Sequence, residues 1–300
     1  MENIKQISPL DNELLQRTAI IDDPAKKLWY IGELPRLAPT VAIVGSRKPT
    51  SYGREISARL VAQLVKHGVI IVSGLALGHD ALAHKAALDS GGITVAVIGN
   101  GLKDIHPHTN HTLAQRIVEN HGLIISEYEP DTPVRGYQFL QRNRLISALA
   151  DVVVVIEAGE RSGTLNTAAH ALEQGRDVMA VPGNVTSPLS VGCNRLIAQG
   201  AAPVLCSQDV LDRLGIASTE VSKKDDHKIR FNSPEAQLIY DHILAGETDG
   251  EKLCASTGLA PADFTAALTM LELNAYIHPL GNNHWGACQR LSFIKKCANI

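Results

Sequence analysis

The sequence is poor in aromatic residues and has no excess of charge of either sign. Phe, Trp and Tyr make up 4% of its 300 residues, and 28 Lys and Arg stand against 31 Asp and Glu. So few rings argue against an extended platform on which a row of nucleic-acid bases could stack. The balance of charge argues against a protein that binds nucleic acid through a basic coat or tail. Any such binding would need a local cluster of cations.

Paired cysteines and long apolar runs are also missing. The cysteines form no Cys-x-x-Cys pair and stand at positions Cys193, Cys206, Cys254, Cys288 and Cys297. Their irregular spacing favours reduced thiols over a disulfide framework or a zinc site. The first residues do not join a basic segment to an apolar run, so no signal peptide is expected. No apolar stretch approaches the roughly 20 residues of a membrane span. The sequence predicts a cytoplasmic protein without a membrane partner.

From residue 40 onward, short apolar runs alternate with amphipathic stretches. The runs are β-branched and apolar on both faces, which is typical of buried parallel strands, and they cover 41–44, 69–72, 94–98, 123–125, 152–156 and 178–181. The amphipathic stretches predict helices over 54–66, 80–89, 112–120, 138–150 and 165–174. This alternation predicts an α/β fold with a doubly wound, mostly parallel sheet, in which ligands bind at the carboxyl ends of the strands.

The alternation stops near Leu214, and a second pattern follows a polar stretch. Ser233, Pro234 and Glu235 have the types expected at a helix N-terminus. Two more predicted helices and a hairpin around Gly281 come next, which together indicate a winged helix. The predicted organisation is an N-terminal extension over 1–36, a sheet domain over 37–216, a linker over 217–232 and a winged-helix-like domain over 233–300.

Glycine-rich turns follow several of the predicted strands. The turns contain Gly45, Ser46, Arg47 and Lys48 after the first strand, Ser73 and Gly74 after the second, and Ser162, Gly163 and Thr164 after the fifth. Backbone amides and helix N-termini in such turns suit phosphate groups. None matches the dinucleotide GxGxxG or the P-loop pattern. Any one of them could be an ordinary structural turn, but several at one sheet edge indicate a surface for a nucleotide or an extended polyanion.

A denser cluster lies where the helix over 138–150 begins. Arg142 and Arg144 suit bidentate contacts to phosphate, Asn143 can read a base edge or a sugar, and Phe139 can stack on a base. The alternative is an ordinary helix start with solvated arginines and a core Phe139.

Neither a metal site nor catalytic residues are predicted. The histidines of the loop around Pro107, which are His106, His108 and His111, lack a carboxylate cluster and helical ligand spacing. The acidic loop of Glu127, Glu129 and Asp131 assigns no acid–base pair. No cofactor is expected.

Several motifs, read in order, carry a resemblance to a known family. They are Val41 to Arg47, Ser73 to Asp80, Phe139 with Arg142 to Arg144, Ser162 to Leu165, Val181 to Asn184, Gly192 to Ile197 and Gln199 to Ala201. Over about residues 19–215 the chain resembles the DNA processing protein A (DprA/Smf) family.

The resemblance implies an extended Rossmann-like domain that binds single-stranded DNA and is not an enzyme. It further implies protection of incoming DNA, loading of the RecA recombinase in natural transformation and recombination, and a homodimer formed through this domain. The implied DNA site comprises Gly45, Ser46, Arg47, Lys48, Phe139, Arg142, Asn143 and Arg144, with backbone and hydroxyl contacts from Ser73, Gly74, Ser162, Gly163 and Thr164. The chain departs from the family pattern at His79, usually apolar, at His106, usually tyrosine, and at Leu140-Gln141, usually proline and a basic residue.

Two alternative functions each require residues that can be looked for in the sequence. Phosphoribohydrolases of the same Rossmann-like superfamily carry a PGGxGTxxE motif, but Thr167 stands here where its catalytic glutamate belongs. A transcription regulator would read DNA with the predicted helix over 261–274, which contains no Lys or Arg. Residues 231–300 hold four basic and seven acidic residues, so DNA would be repelled. The winged-helix-like domain is therefore predicted to contact protein rather than DNA.

Overall fold

The chain folds as two units, residues 1–219 and residues 220–300. The computed structural model describes residues 4–216, 231, 233–274, 276–281 and 283–287. Apart from Phe231, the predicted linker lies outside the described residues, as does the end of the predicted winged-helix-like domain from residue 288.

One nine-stranded sheet forms the centre of the first unit. Its strands are β1 (Lys5–Ile7), β2 (Leu28–Gly32), β3 (Thr40–Val44), β4 (Ile70–Ser73), β5 (Thr94–Val97), β6 (Leu123–Ser126), β7 (Val152–Val155), β8 (Asp177–Ala180) and β9 (Ala202–Pro203). They lie in the order β1-β2-β6-β5-β4-β3-β7-β8-β9. β1 pairs antiparallel with β2, and β2 pairs antiparallel with β6. From β6 to β9 in this sheet order, every neighbouring pair of strands is parallel. The predicted doubly wound, Rossmann-like sheet is confirmed, and the stretch 1–36 adds two strands to its edge.

Helices connect the parallel strands. They are α1 (Ser51–Lys66), α2 (His79–Asp89), α3 (His111–Glu119), α4 (Gly136–Leu149), α5 (Thr164–Glu173), α6 (Val191–Ala198) and α7 (Ser207–Arg213). The first five confirm the predicted helices. The apolar pattern of the sequence did not predict α6, α7 or β9, because such short elements show too little apolar periodicity. None of the helices in the described ranges is long and apolar enough to span a membrane.

Helices cover both faces of the sheet. Ala42 and Val44 of β3 pack with Leu145 of α4 in one cluster, whereas Val41 and Ile43 pack with α1 in another. These side chains are at most 3% exposed. Because each strand is buried on both sides, it has the continuous apolar character that the sequence shows.

The direction in which strands are added reverses between β3 and β7. The chain builds outward from β3 through β4, β5 and β6, and then returns through α4 to β7, which pairs with β3. At such a switch point the loops after two neighbouring strands run to opposite faces of the sheet and leave a crevice at the carboxyl ends. The turns that begin at Gly45 and Ile156 bound this crevice.

Within the residues that the structure describes, the second unit contains three helices and a hairpin. They are α8 (Pro234–Leu244), α9 (Gly250–Thr257), α10 (Pro261–Leu273), and the antiparallel strands β10 (Ile277–Gly281) and β11 (His284–Ala287). The Ser233 hydroxyl accepts a hydrogen bond from the Ala236 amide at 3.2 Å, which caps α8 as the sequence predicts. The identification of this unit as a winged helix remains a prediction.

His84 is a buried histidine of α2 with a defined tautomer. The Thr94 hydroxyl donates to the Ile71 carbonyl (2.8 Å), so the Nδ1–H of His84 must donate to Thr94 Oγ1 (2.7 Å). Nε2 is buried and has no partner among the described residues. Protonation there would bury an unpaired charge. Burial, reinforced by the charge of Arg142, lowers the pKa of His84 to about 3.

We expect His84 to make the fold sensitive to acid. Below the ordinary histidine pKa of about 6.5, the unfolded chain takes up a proton that the folded chain refuses down to about pH 3. The free energy of unfolding therefore falls as the pH drops through this window. His84→Asn keeps a donor for Thr94 and removes the titration. Urea unfolding at several pH values between about 4.5 and 6 should give a slope shallower by about 1.4 kcal/mol per pH unit.

His111→Asn, at an exposed position, is the matched control for the replacement of a histidine by asparagine. Equal slopes for the wild type and His84→Asn would contradict the prediction.

Candidate nucleic-acid interface

A pocket of about 380 Å³ lies at the switch point. This switch-point pocket is lined by Val44, Gly45, Arg47, Ala76, Asp80, Phe139, Leu140, Arg142, Asn143, Ile146, Ser162, Gly163, Thr164 and Thr167. Eight of the thirteen predicted site residues are among them. The five that do not line it are Ser46, Lys48, Ser73, Gly74 and Arg144. The structure thus brings together turns from three strands and the first part of α4.

Arg47 and Phe139 meet at this pocket. The Arg47 side chain is exposed, and its guanidinium carbon lies 5.8 Å from the centroid of the Phe139 ring. This cation–π contact orients the guanidinium while its N–H groups stay accessible to an anion. Phe139 is half-buried, so part of its ring is open to a ligand. Lys48 is also exposed, and its amide donates to Ser46 Oγ at 3.1 Å.

Arg142 is used differently from what the sequence predicts. It is 3% exposed, and its Nη1 donates to the carbonyls of Gly74, at 2.7 Å, and of Val97. Burial lowers its pKa to about 10 against the attraction of Asp80, which leaves it charged at neutral pH. The guanidinium therefore ties α4 to the ends of β4 and β5. Arg142 therefore mainly stabilises the wall of the pocket rather than binding a phosphate.

Asp80 supplies the opposite charge on this wall. Its Oδ2 accepts from the amides of Gly74 (3.1 Å) and Ala76 (3.4 Å). Burial raises the pKa of Asp80, and the charge of Arg142 counteracts that rise. A Cβ on Gly74 would lie 2.6 Å from both Arg142 Nη2 and Asp80 Oδ2, so glycine is needed there for packing. Ser73 is fully buried and donates to the Ile43 carbonyl at 2.7 Å, which leaves no hydroxyl for a ligand.

His79 supports the turn that carries Arg47. The His79 amide donates to the Ser46 carbonyl (3.2 Å), and the Ser46 amide donates to the Glu157 carbonyl (2.8 Å). The imidazole lies 2.8 Å from Ser57 Oγ at Nδ1 and 3.0 Å from Glu157 Oε2 at Nε2. Burial lowers the pKa of His79 against the pull of Glu157, so the ring is neutral, with Nε2–H donating to the carboxylate. A Cβ on Gly45 would lie 2.5 Å from this ring.

This serine–histidine–glutamate row has the composition of a hydrolase triad but not its accessibility. Ser57 and His79 are fully buried, and Glu157 is 2% exposed. The hydrogen bonds from Thr50 and His79 outweigh burial and lower the pKa of Glu157. A nucleophile must reach its substrate, and these buried groups cannot. The row therefore holds the turn in position.

Arg144 lies outside the switch-point pocket, and its charge is already paired. It makes a bidentate ion pair with Glu127 (2.9 and 2.6 Å) and donates from Nε to Asp23 at 2.8 Å. Arg144 is 7% exposed. The contact with phosphate that the sequence predicts would require breaking this pair, because the same N–H groups are engaged.

Asn143 and the start of α5 form the opposite wall. Asn143 Nδ2 donates to Asn166 Oδ1 at 3.1 Å, and Ser162 Oγ accepts from the Thr164 amide at 3.2 Å. Gly163, the N-cap residue of α5, is exposed. The wall therefore presents polar groups and a helix N-terminus, which favour a negatively charged ligand.

Asp80, His79 and Glu157 were not predicted from the sequence as residues that shape the pocket. Glu157 directly follows the strand run 152–156, so its place at the sheet edge could have been inferred. Asp80 offered only its position in a glycine-rich turn. Within the described residues, no three His, Cys, Asp or Glu side chains are grouped so that they could hold a metal ion.

A doubly wound sheet with a pocket at its switch point defines an α/β protein of the Rossmann-like class. The sequence model of the DNA recombination-mediator protein A family matches residues 5–215, and the chain belongs to this family. The resemblance drawn from the motifs is confirmed, and the match begins earlier than the predicted residue 19.

Individual relatives agree with this assignment. The Escherichia coli K12 protein Smf is 44% identical over 279 residues, which cover 90% of this chain and 74% of the relative. The structure of DNA processing protein A from Streptococcus pneumoniae matches with a TM-score of 0.65 and 40% identity, over 70% of this chain and 74% of that one. DNA processing protein A from Helicobacter pylori, described for its unique single-stranded DNA binding mode, matches with a TM-score of 0.63 and 33% identity, over 71% and 95%. The chain spans 64% of the length of two further curated relatives.

The two arginines of the pocket should differ sharply in their effect on stability. Arg142→Ala leaves the buried Gly74 and Val97 carbonyls without their donor and removes the nearby charge that favours the ionised form of Asp80, so we expect a loss of about 3 kcal/mol or more. Arg47→Ala removes an exposed side chain and should change stability by less than about 0.5 kcal/mol. Urea unfolding at neutral pH measures both. An Arg142→Ala protein as stable as the wild type would contradict the assigned role.

Proposed function

We propose that the chain binds single-stranded DNA in the switch-point pocket, protects it, and passes it to a RecA-type recombinase in transformation and recombination. The observation that carries the binding proposal is the contact of Arg47 with Phe139, since it puts a phosphate-binding cation beside a ring on which a base can stack. Membership of a recombination-mediator family supports it, as does the single-stranded DNA binding described for the Helicobacter pylori relative.

The size and form of the pocket favour a single strand over a duplex. A pocket of about 380 Å³ can take a base that has left its stack, whereas duplex bases are covered on both faces. The ring of Phe139 can serve only an unstacked base. Affinity then comes from one or two phosphates and from stacking, which agrees with a chain whose first 230 residues have equal numbers of basic and acidic residues.

A binding role is favoured over catalysis. Asp80, which lines the pocket, and Glu157, which holds the adjoining turn, are buried and engaged in hydrogen bonds within the protein. Thr167 occupies the position at which a phosphoribohydrolase needs its glutamate, and it is 2% exposed. Release of a free base from nucleoside monophosphates by the purified chain would contradict this part of the proposal.

The proposed partners beyond DNA come from the family resemblance and from charge. We propose a homodimer through the Rossmann-like unit, contact with a RecA recombinase, and a cytoplasmic location, which suits the scattered cysteines. Residues 231–300 carry more acidic than basic residues, so we propose that the second unit contacts protein.

Single substitutions at the pocket test DNA binding. Arg47→Ala should weaken binding of a thymidine oligonucleotide about fivefold or more and reduce the slope of log affinity against log salt by about 0.7 if one phosphate contact is lost. Phe139→Ala should cost about 1–3 kcal/mol through lost stacking. Fluorescence anisotropy at several salt concentrations measures both quantities. The matched control is Arg213→Ala, which replaces a partly exposed arginine of α7 and should leave binding unchanged.

A wild-type chain without measurable affinity for single strands would refute the proposed function. Unchanged binding by both Arg47→Ala and Phe139→Ala would place the DNA site elsewhere.

Removal of the second unit should have little effect on DNA affinity. Residues 231–300 carry four basic and seven acidic residues, and α10 contains no Lys or Arg, so this part of the chain offers few phosphate contacts. A chain of residues 1–230 is expected to bind single strands within about tenfold of the full chain in the same anisotropy assay. A greater loss would assign this unit a direct part in DNA binding.

A further inference from the structure

We infer that His106 forms a second stacking position, beside Phe139, for the neighbouring base of a bound strand. The inference rests on the proposed binding of single-stranded DNA and extends the site beyond the switch-point pocket, which His106 does not line.

The rings of this region form a connected row. The centroid of the His106 ring lies 5.9 Å from that of Phe139 with an interplanar angle of 38°, and 5.7 Å from that of His108 with an angle of 76°. Arg47 contacts Phe139 at 5.8 Å. Phe139 is thus in contact with the cation that can bind phosphate and with a second flat ring. A chain with only 4% aromatic residues thus places a second π-system directly beside the ring that lines the pocket.

The loop that carries His106 is anchored to the pocket. Asn110 is 8% exposed, and its Nδ2 donates to the carbonyls of Leu75 (2.8 Å) and Ala76 (3.3 Å) in the turn after β4. The buried Asn100 donates to the Asp104 carbonyl at 2.5 Å on the other side of the loop. Since Ala76 lines the pocket, these bonds fix the loop against it. A ring held in place before binding loses little conformational entropy when a base stacks on it.

The chemistry of His106 suits a base. The residue is half-buried, and no hydrogen bond within the described part of the chain uses its ring nitrogens. An imidazole offers a flat face together with ring nitrogens at its edge that can form hydrogen bonds. The carboxylate of this loop, Asp104, lies 3.4 Å from His108 Nδ1. Every nucleobase is an aromatic heterocycle with polar edges, so it matches both the flat face and the polar edge of this ring.

The test compares two probes of equal charge. One is a thymidine oligonucleotide of about 12 nucleotides, and the other is an abasic phosphodiester strand of the same length. His106→Ala should weaken binding of the thymidine strand about fivefold or more, which corresponds to about 1 kcal/mol of lost stacking, and change binding of the abasic strand by less than about twofold. His106→Phe keeps a ring and should bind the thymidine strand nearly as the wild type does. His111→Ala, at an exposed histidine outside the ring row, is the matched control.

The outcomes separate this inference from the proposed function. If Arg47→Ala weakens binding and His106→Ala does not, the stacking position is refuted while DNA binding in the pocket stands. If the wild type binds neither probe, the proposed function fails and the inference fails with it. Equal weakening on both probes would show that His106 acts through phosphate or through the fold, and would also overturn the inference.

A second pair of variants guards against loss of structure. If His106→Ala lowers the midpoint of thermal unfolding, His106→Leu is compared with His106→Phe, because both fill the space and only Phe presents a ring. Stronger binding of the thymidine strand by the Phe variant supports stacking, and equal binding refutes it.

Discussion

The geometry of the site depends on one buried guanidinium. Arg142 extends from α4 and donates to carbonyls at the ends of β4 and β5, so it fixes the helix that carries Phe139 and Asn143 against the sheet. An arginine can do this because it stays charged when buried and directs several N–H groups in one plane. Asp80 compensates its charge and holds the amides of the same turn. The pocket has its shape because these opposite charges share a small volume that only glycine at position 74 leaves open.

A second buried polar cluster has the same task on the other side of the switch point. The imidazole of His79 links Ser57 to Glu157 and holds the turn of Gly45 to Arg47. Both clusters are satisfied by hydrogen bonds within the protein, which offsets the cost of burying them. The side chains left for a ligand, above all Arg47 and Phe139, are exposed or half-buried and lie on segments that the buried groups fix. Positioning and contact are thus divided between different residues.

The sequence allowed the sheet and its main helices to be predicted, because burial on both faces leaves an apolar pattern that can be read locally. The individual roles of Arg142 and Arg144 could not be predicted from composition. They stand two positions apart on α4, and residues at that spacing face different directions, so one turns to the sheet and the other to Glu127 and Asp23. Asp23 is far away in the chain, and no local pattern indicates such a partner. Helical spacing alone would have shown that both arginines could not meet one phosphate.

The packing around Gly74 has a consequence for how the sequence can vary. A side chain at this position would collide with Arg142 and Asp80, and loss of either charged group would strand the other in the protein interior. We therefore expect substitutions at these three positions to be tolerated only when they occur together, so that the three positions vary jointly among related chains. Arg47 and His106 are held by fewer contacts, and each can change alone. The buried groups are then expected to stay the same wherever the fold is kept, whereas the exposed groups can change with the ligand that is bound.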